Sequence, residues 1–257
     1  MWPFVLRTED LVLPTYLVVN SGIFTFGILW IYFRSIKFKY NTTATLDIAL
    51  VSMISCFLGS RLAHIVFEYP EVYIQDPSLI YKFWNGGFVF YGGAIGGFIS
   101  ALLLCRFRKW DFFKYADLFA PVLALGYSIG RFGCFLAGCC FGRACDLPWA
   151  VHFPEGVEAP AGVPLHPTQI YSSLWELGVV LILVYLEKKR KFKVHGQLLG
   201  LWFVLHGLGR ALVEQFRGDF RGEAFINLSV STWLSFATMT IGLWLLQRKK
   251  KNASATS

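Results

Sequence analysis

Apolar residues run nearly unbroken through seven stretches of the chain, parted by short polar or proline-rich connections. They are Pro14 to Phe33, Thr45 to Phe67, Gly87 to Phe107, Phe112 to Phe132, Thr168 to Leu186, Gly196 to Phe216 and Ser229 to Leu246. Each is close to the roughly 20 residues with which a helix crosses about 30 Å of hydrocarbon. The pattern predicts an all-α integral membrane protein of seven transmembrane helices, a single membrane domain over residues 1–257. Composition agrees, with 55% hydrophobic and 16% charged residues and a mean hydropathy of +0.52, where soluble domains carry about 25% charged residues.

The basic residues orient the bundle. Arg34, Lys37, Lys39, Arg106, Arg108, Lys109, Lys114, Lys188, Lys189, Arg190, Lys191, Lys193, Arg248, Lys249, Lys250 and Lys251 fall in alternate connections and make up sixteen of the 24 lysines and arginines. Lysine and arginine are retained on the cytoplasmic side, so the N-terminus is predicted to face out and the C-terminus in, with 248–257 a basic cytoplasmic tail. The net charge of +8 arises from short juxtamembrane clusters. It therefore speaks for topology and anionic lipid and against nucleic acid. Glu9 and Asp10 precede the first apolar run and no small-residue cleavage site follows, so that helix is expected to be retained.

Two outward connections stand out. Pro70 to Trp84 mixes Tyr73, Ile74, Leu79, Ile80, Tyr81, Phe83 and Trp84 with acids, which suits an aromatic belt or a segment lying in the interface. Residues 133–167 form the longest connection, between the fourth and fifth helices. They hold Pro148, Pro154, Pro160, Pro164 and Pro167 and a short strand expected near Trp149 to Phe153, and read as a lid or rim.

Polar residues inside the apolar runs gather toward the outer side. Arg61, Arg131 and Arg210 cannot shed their protons and cost about 3 kcal/mol or more at bilayer depth, so they need anionic partners or a polar cavity. His206, Arg210, Glu214 and Arg217 follow i, i+4, i+8 and i+11 on one helical face, Arg61, His64 and Glu68 make a second stripe, and Gln169, Ser172, Ser173 and Glu176 a third. Interhelical ion pairs, such as Arg61 with Glu68 or Arg210 with Glu214, are the simpler account of any one pair. Several stripes at one depth favour a polar cavity opening outward.

Ordered along the chain are GSRLAHIVFEY at Gly59, WNGGFVFYGG at Trp84, GRFGCFLAGCCFGR from Gly130 to Arg143, LHPTQIY at Leu165 and GRALVEQFR at Gly209. Their joint order and spacing, over about 59–217, resemble the prolipoprotein diacylglyceryl transferases, a family of seven N-out helices. The resemblance implies that a phosphatidylglycerol and the lipobox cysteine of a prolipoprotein signal peptide react in the bacterial inner membrane. The cysteine thiolate attacks the glycerol carbon bearing the phosphate, and glycerol 1-phosphate leaves on the periplasmic side. It implies no metal and no redox cofactor. Arg131 and Arg210 match the family's essential arginines and would fork the phosphate. Glu214 and Arg217 match the acid and base that follow, and His166 and Gln169 the family's HP-S/T-Q stretch. Arg61, Gly92, Gly93 and Gly142 are further candidate substrate-binding positions.

This chain also departs from the family. Tyr91 stands where many members have histidine, and His206 where they have tyrosine, as though the two were exchanged. His206 is therefore the expected thiol base, with Tyr91 in the same substrate-facing pocket; a hydrogen-bonded core histidine is the alternative. Cys134, Ala137 and Cys139 occupy signature positions that usually hold asparagine and glutamate. Cys134, Cys139, Cys140 and Cys145 cluster on the outer side, where a disulfide, free thiols or zinc with His152 or His166 remain open; Cys56 and Cys105 read as packing residues. Gly92 with Gly96 and Gly93 with Gly97 suit either close helix packing or room for an acyl chain. A transporter or seven-helix sensor for an anionic ligand is the rival class, but no broken-helix repeat is visible and the last span lacks the lysine a retinal receptor needs.

Overall fold

In the computed structural model the described residues are 4–7, 12–83, 86–189, 191–219 and 228–249. Trp84, Arg190, Arg221 and the tail from Lys250 lie outside them. Two compact units are present, residues 1–27 with 116–257, and residues 28–115. The chain is an all-α integral membrane protein. Its helices are α1 Thr15–Lys37, α2 Thr42–Ala63, α3 Pro70–Gln75, α4 Phe90–Phe107, α5 Phe112–Ala137, α6 Thr168–Lys188, α7 Gln197–Glu214 and α8 Val230–Gln247. Each of the seven apolar stretches contains one long helix. Five of these are long and apolar enough to cross a membrane, namely α1, α2 with its extension to Glu68, α4, α5 and α6; α7 and α8 have 18 residues each.

Within residues 28–115, α2 packs on α4. Asn41 caps α2 by accepting from the Ala44 N–H at 3.0 Å. The helices touch through glycines. A Cβ on Gly59 would lie 2.5 Å from the Gly92 carbonyl oxygen, one on Gly92 would strike Ala63, and one on Gly93 would strike Ser60. The room beside Gly92 and Gly93 is thus filled by α2, which is the packing alternative. A π-helical turn, His64–Glu68, ends α2. The segment from Pro70 then folds as α3 and a 3-10 turn, Pro77–Ile80, with Tyr73 buried and Ile74 and Tyr81 each 77% exposed. That split suits a segment resting at an interface.

In the larger unit α7 packs along α8 and beside α6. Asp117 on α5 accepts from the backbone N–H groups of Gly196 at 2.7 Å and Leu199 at 2.8 Å. Its carboxylate thereby caps the N-terminus of α7 from a neighbouring helix, where a negative charge is favoured. The connection between α5 and α6 has its own small core of Phe153, Ala159 and Leu165, packed with Phe135, Phe141, Val151, Val157 and Val163. A two-stranded sheet, β3 Val151–His152 with β4 Pro164–Leu165, ties it together, where the sequence predicts a strand at Trp149 to Phe153. A second hairpin, β1 Phe4–Arg7 with β2 Val12–Pro14, precedes α1.

Candidate active site

The helix α5 brings Tyr127 and Arg131 onto one face, four residues apart. The Arg131 guanidinium sits 4.7 Å from the Tyr127 ring centroid. The same ring meets His206 of α7 edge to face, with centroids 4.6 Å apart and planes at 88°. A small cavity of about 10 Å³ opens beside them, lined by Tyr127, Ser172, Trp175, Glu176, His206, Gly209 and Arg210. That is room for about one water. Arg131 and Arg210, from separate helices, thus meet around a single tyrosine.

The His206 side chain is held from α6. Its Nδ1 lies 3.1 Å from Glu176 Oε2, and Trp202 Nε1 donates to Glu176 Oε1 at 2.6 Å. Glu176 is only 1% exposed. A carboxylate only accepts hydrogen bonds, so the hydrogen of a neutral His206 resides on Nδ1 and leaves Nε2 as an acceptor. The geometry matches that required of a general base oriented by a third group.

Arg210 is positioned from two sides. Its Nη2 donates to Ser231 Oγ of α8 at 2.8 Å, and its Nη1 lies 2.7 Å from Glu214 Oε2. That ion pair is close but poorly aligned, so Arg210 Nη1 and Glu214 Oε2 have no hydrogen-bond partner among the described residues. Glu214 is held in turn by Ser229 Oγ, which donates to its Oε1 at 2.6 Å. Glu214 and Ser231 thus fix the Arg210 guanidinium at the edge of the cavity, where a cation suits an incoming anion.

The other expected residues have more structural surroundings. Arg217 forks Asp219 with bonds of 2.8 and 2.6 Å, and its backbone bridges Gly142. His166 is buried, with Nδ1 3.1 Å from the Tyr171 hydroxyl. Gln169 Nε2 donates to the Cys139 carbonyl at 2.7 Å, while its Oε1 has no partner among the described residues. Arg61 pairs with loop carbonyls where a pair with Glu68 is the simple expectation. It donates to Leu79 at 2.6 Å, Gly87 at 3.3 Å and Gly86, under the Tyr73 ring at 5.4 Å. Glu68 instead pairs with His64 Nδ1 at 2.5 Å, its neighbour within the π-helical turn. Tyr91 lies in the first turn of α4, 45% exposed.

The sulfurs of Cys134, Cys139 and Cys140 lie within 4.8 Å of one another. Hydrogen bonds from Cys134 and Cys139 hold the Cys140 thiol below its ordinary range, with help from the Arg217 charge, whereas those with Cys134 and Cys140 push Cys139 up.

A family model described as "Prolipoprotein diacylglyceryl transferase" matches residues 3–248. The chain belongs to that family. Among its relatives, the phosphatidylglycerol–prolipoprotein diacylglyceryl transferase of Clostridium tetani (strain Massachusetts / E88) is 39% identical over 212 residues, 82% of this chain and 83% of that protein. The second such transferase of Clostridium perfringens (strain 13 / Type A) is 36% identical over 233 residues, 91% and 89% of the two chains. Family membership makes the protein a multi-pass membrane enzyme, a diacylglyceryl transferase. Tyr127, which joins Arg131 to His206, escapes the stripe reading although it lies one turn before Arg131; an aromatic within an apolar run looks like ordinary packing. Glu176 is visible in its stripe, but its partner on α7 is set only by the packing of α6 on α7.

Proposed function

We propose that this chain transfers the diacylglyceryl group of phosphatidylglycerol to the lipobox cysteine of prolipoproteins at the periplasmic side of the bacterial inner membrane. The names of its relatives, which are phosphatidylglycerol–prolipoprotein diacylglyceryl transferases, support these substrates. The orientation rests on the basic connections, and α7 and α8, each about 27 Å long, complete seven N-out spans within one membrane domain. No nucleic acid takes part.

In this reading Arg131 and Arg210 hold the lipid phosphate. The incoming thiol gives its proton to His206 Nε2, with Glu176 fixing the tautomer. Sulfur bonds to the glycerol carbon while the carbon–oxygen bond to phosphate breaks, and the electron pair and finally the proton leave with glycerol 1-phosphate. Charge building on the phosphate is what two guanidiniums stabilise most. Glu214 and Arg217 keep Arg210 and the rim in place. His166 and Gln169 shape the loop above, with Gly142 beneath them.

The observation that carries this reading is the meeting of Arg131 and Arg210 around Tyr127 beside an oriented histidine. Purified enzyme in detergent, given phosphatidylglycerol and a lipobox peptide, is expected to release glycerol phosphate, and Arg131→Ala and Arg210→Ala to lose that release. Parent rates from both variants would overturn it.

A further inference from the structure

The helix α5 ends in a Schellman cap. The Cys139 N–H donates to the Cys134 carbonyl and the Gly138 N–H to the Phe135 carbonyl, each at 3.2 Å, and Gly138 takes φ of 71°, the left-handed turn that glycine favours. Such a cap folds the residue after the turn back over the last turn of the helix, and the side chains at those two positions commonly touch. In this chain both are cysteine, Cys134 in the last turn and Cys139 after the glycine. The Cys139 thiol accordingly donates to the Cys134 carbonyl at 3.7 Å.

The sulfurs of Cys134, Cys139 and Cys140 lie within 4.8 Å of one another, so three pairings compete. Cys139 and Cys140 are neighbours across a trans peptide. Their Cα atoms are thus about 3.8 Å apart, short of the roughly 4.4 to 6.8 Å that a disulfide spans. Cys140 stands beyond the cap with φ of 61° and has the Arg217 side chain as a further hydrogen-bond and charge partner, which favours its thiolate. Cys134 with Cys139 is the pair that the cap itself builds.

We propose that Cys134 and Cys139 are a redox pair, forming a disulfide across the C-terminal cap of α5 where this end of the helix meets an oxidising compartment, and leaving Cys140 free. That the pair is oxidised in the cell rests on the outward orientation proposed above. The two thiols give up two protons and two electrons. An incoming disulfide, of a small molecule or a protein, takes them up and departs as two thiols, after one cysteine forms a mixed disulfide that the other displaces. The link fastens the turn carrying Arg131, one turn before Cys134, to a loop already held from the start of α6. There Gln169 Nε2 donates to the Cys139 carbonyl at 2.7 Å and Thr168 Oγ1 to the Cys140 carbonyl at 2.9 Å.

The test uses the full chain in bacterial cells quenched with acid, alkylated with iodoacetamide, then reduced and alkylated with N-ethylmaleimide, and read by peptide mass spectrometry. Cys134 and Cys139 are expected to carry the second label and Cys140 the first. The same labelling of protein purified under reducing conditions and then given glutathione disulfide should yield the same pattern. Cys140→Ser should keep the link. Limited proteolysis between α5 and α6 should be at least about tenfold slower in the oxidised than in the reduced protein, a difference that the double variant Cys134→Ser/Cys139→Ser should abolish. First label on Cys134 and Cys139 even after glutathione disulfide would overturn the proposal. So would a link that includes Cys140, loss of the link in Cys140→Ser, or equal cleavage of the oxidised and reduced wild type. Thiols reduced in cells but linked in the purified protein would instead refute the outward orientation and leave the redox pair standing.

Discussion

His206 on α7 and Glu176 on α6 are joined Nδ1 to Oε2 at 3.1 Å, a contact between residues 30 apart in sequence. Because the carboxylate can only accept, it selects which imidazole nitrogen faces the reactants. Replacing His206 by glutamine is expected to lower the transfer rate by about 10² to 10⁴. Glu176→Gln presents an amide that can also donate, frees the tautomer and should cost up to about 100-fold through misplacement. Near-normal rates for His206→Gln, with Tyr91→Phe inactive, would move the base to Tyr91.

Lysine is a poor stand-in for either site arginine. It keeps the charge but loses the planar fork and the stacking that places Arg131 over Tyr127. Arg131→Lys and Arg210→Lys should each reduce kcat/KM for phosphatidylglycerol by at least about tenfold, with helical circular dichroism unchanged. Wild-type kcat/KM in both would show that charge alone suffices.

Arg61 should behave as a structural residue. Its donors are spread over the carbonyls of Leu79, Gly86 and Gly87, groups that a single ammonium cannot span. Arg61→Lys and Arg61→Ala are therefore expected to lower the midpoint of thermal unfolding in detergent, while KM for phosphatidylglycerol measured below that midpoint stays near the parent value. A raised KM with unchanged thermal stability would return Arg61 to the substrate.

Gly142 has no room for a methyl group. A Cβ there would lie 2.5 Å from His166 Cβ, 2.6 Å from the His166 carbonyl and 2.8 Å from the Phe216 carbonyl. Two backbones cannot yield as a side-chain tip would, so Gly142→Ala should destabilise the loop by about 1 to 3 kcal/mol. Limited proteolysis between α5 and α6 should accelerate; cleavage at the parent rate would contradict the contact.

Several links were already legible along the chain. Stretches of about 20 apolar residues leave a backbone no option in lipid but helix, so every one of the seven contains a long helix. The 3.6-residue period likewise put His206, Arg210 and Glu214 on one face, because spacing within a helix is rigid. What one-dimensional spacing could not supply was any choice among partners on different helices. Glu176 with His206, Tyr127 between Arg131 and His206, and Ser231 under Arg210 depend on how α5, α6, α7 and α8 rotate against one another. Arg61 shows the same limit: helical spacing offers Glu68 as partner, but Glu68 pairs with His64 and the carbonyls of a loop distant in sequence take its place. The distances between residues on one helix follow from covalent geometry, whereas those between helices follow from side-chain packing, which only the folded chain resolves.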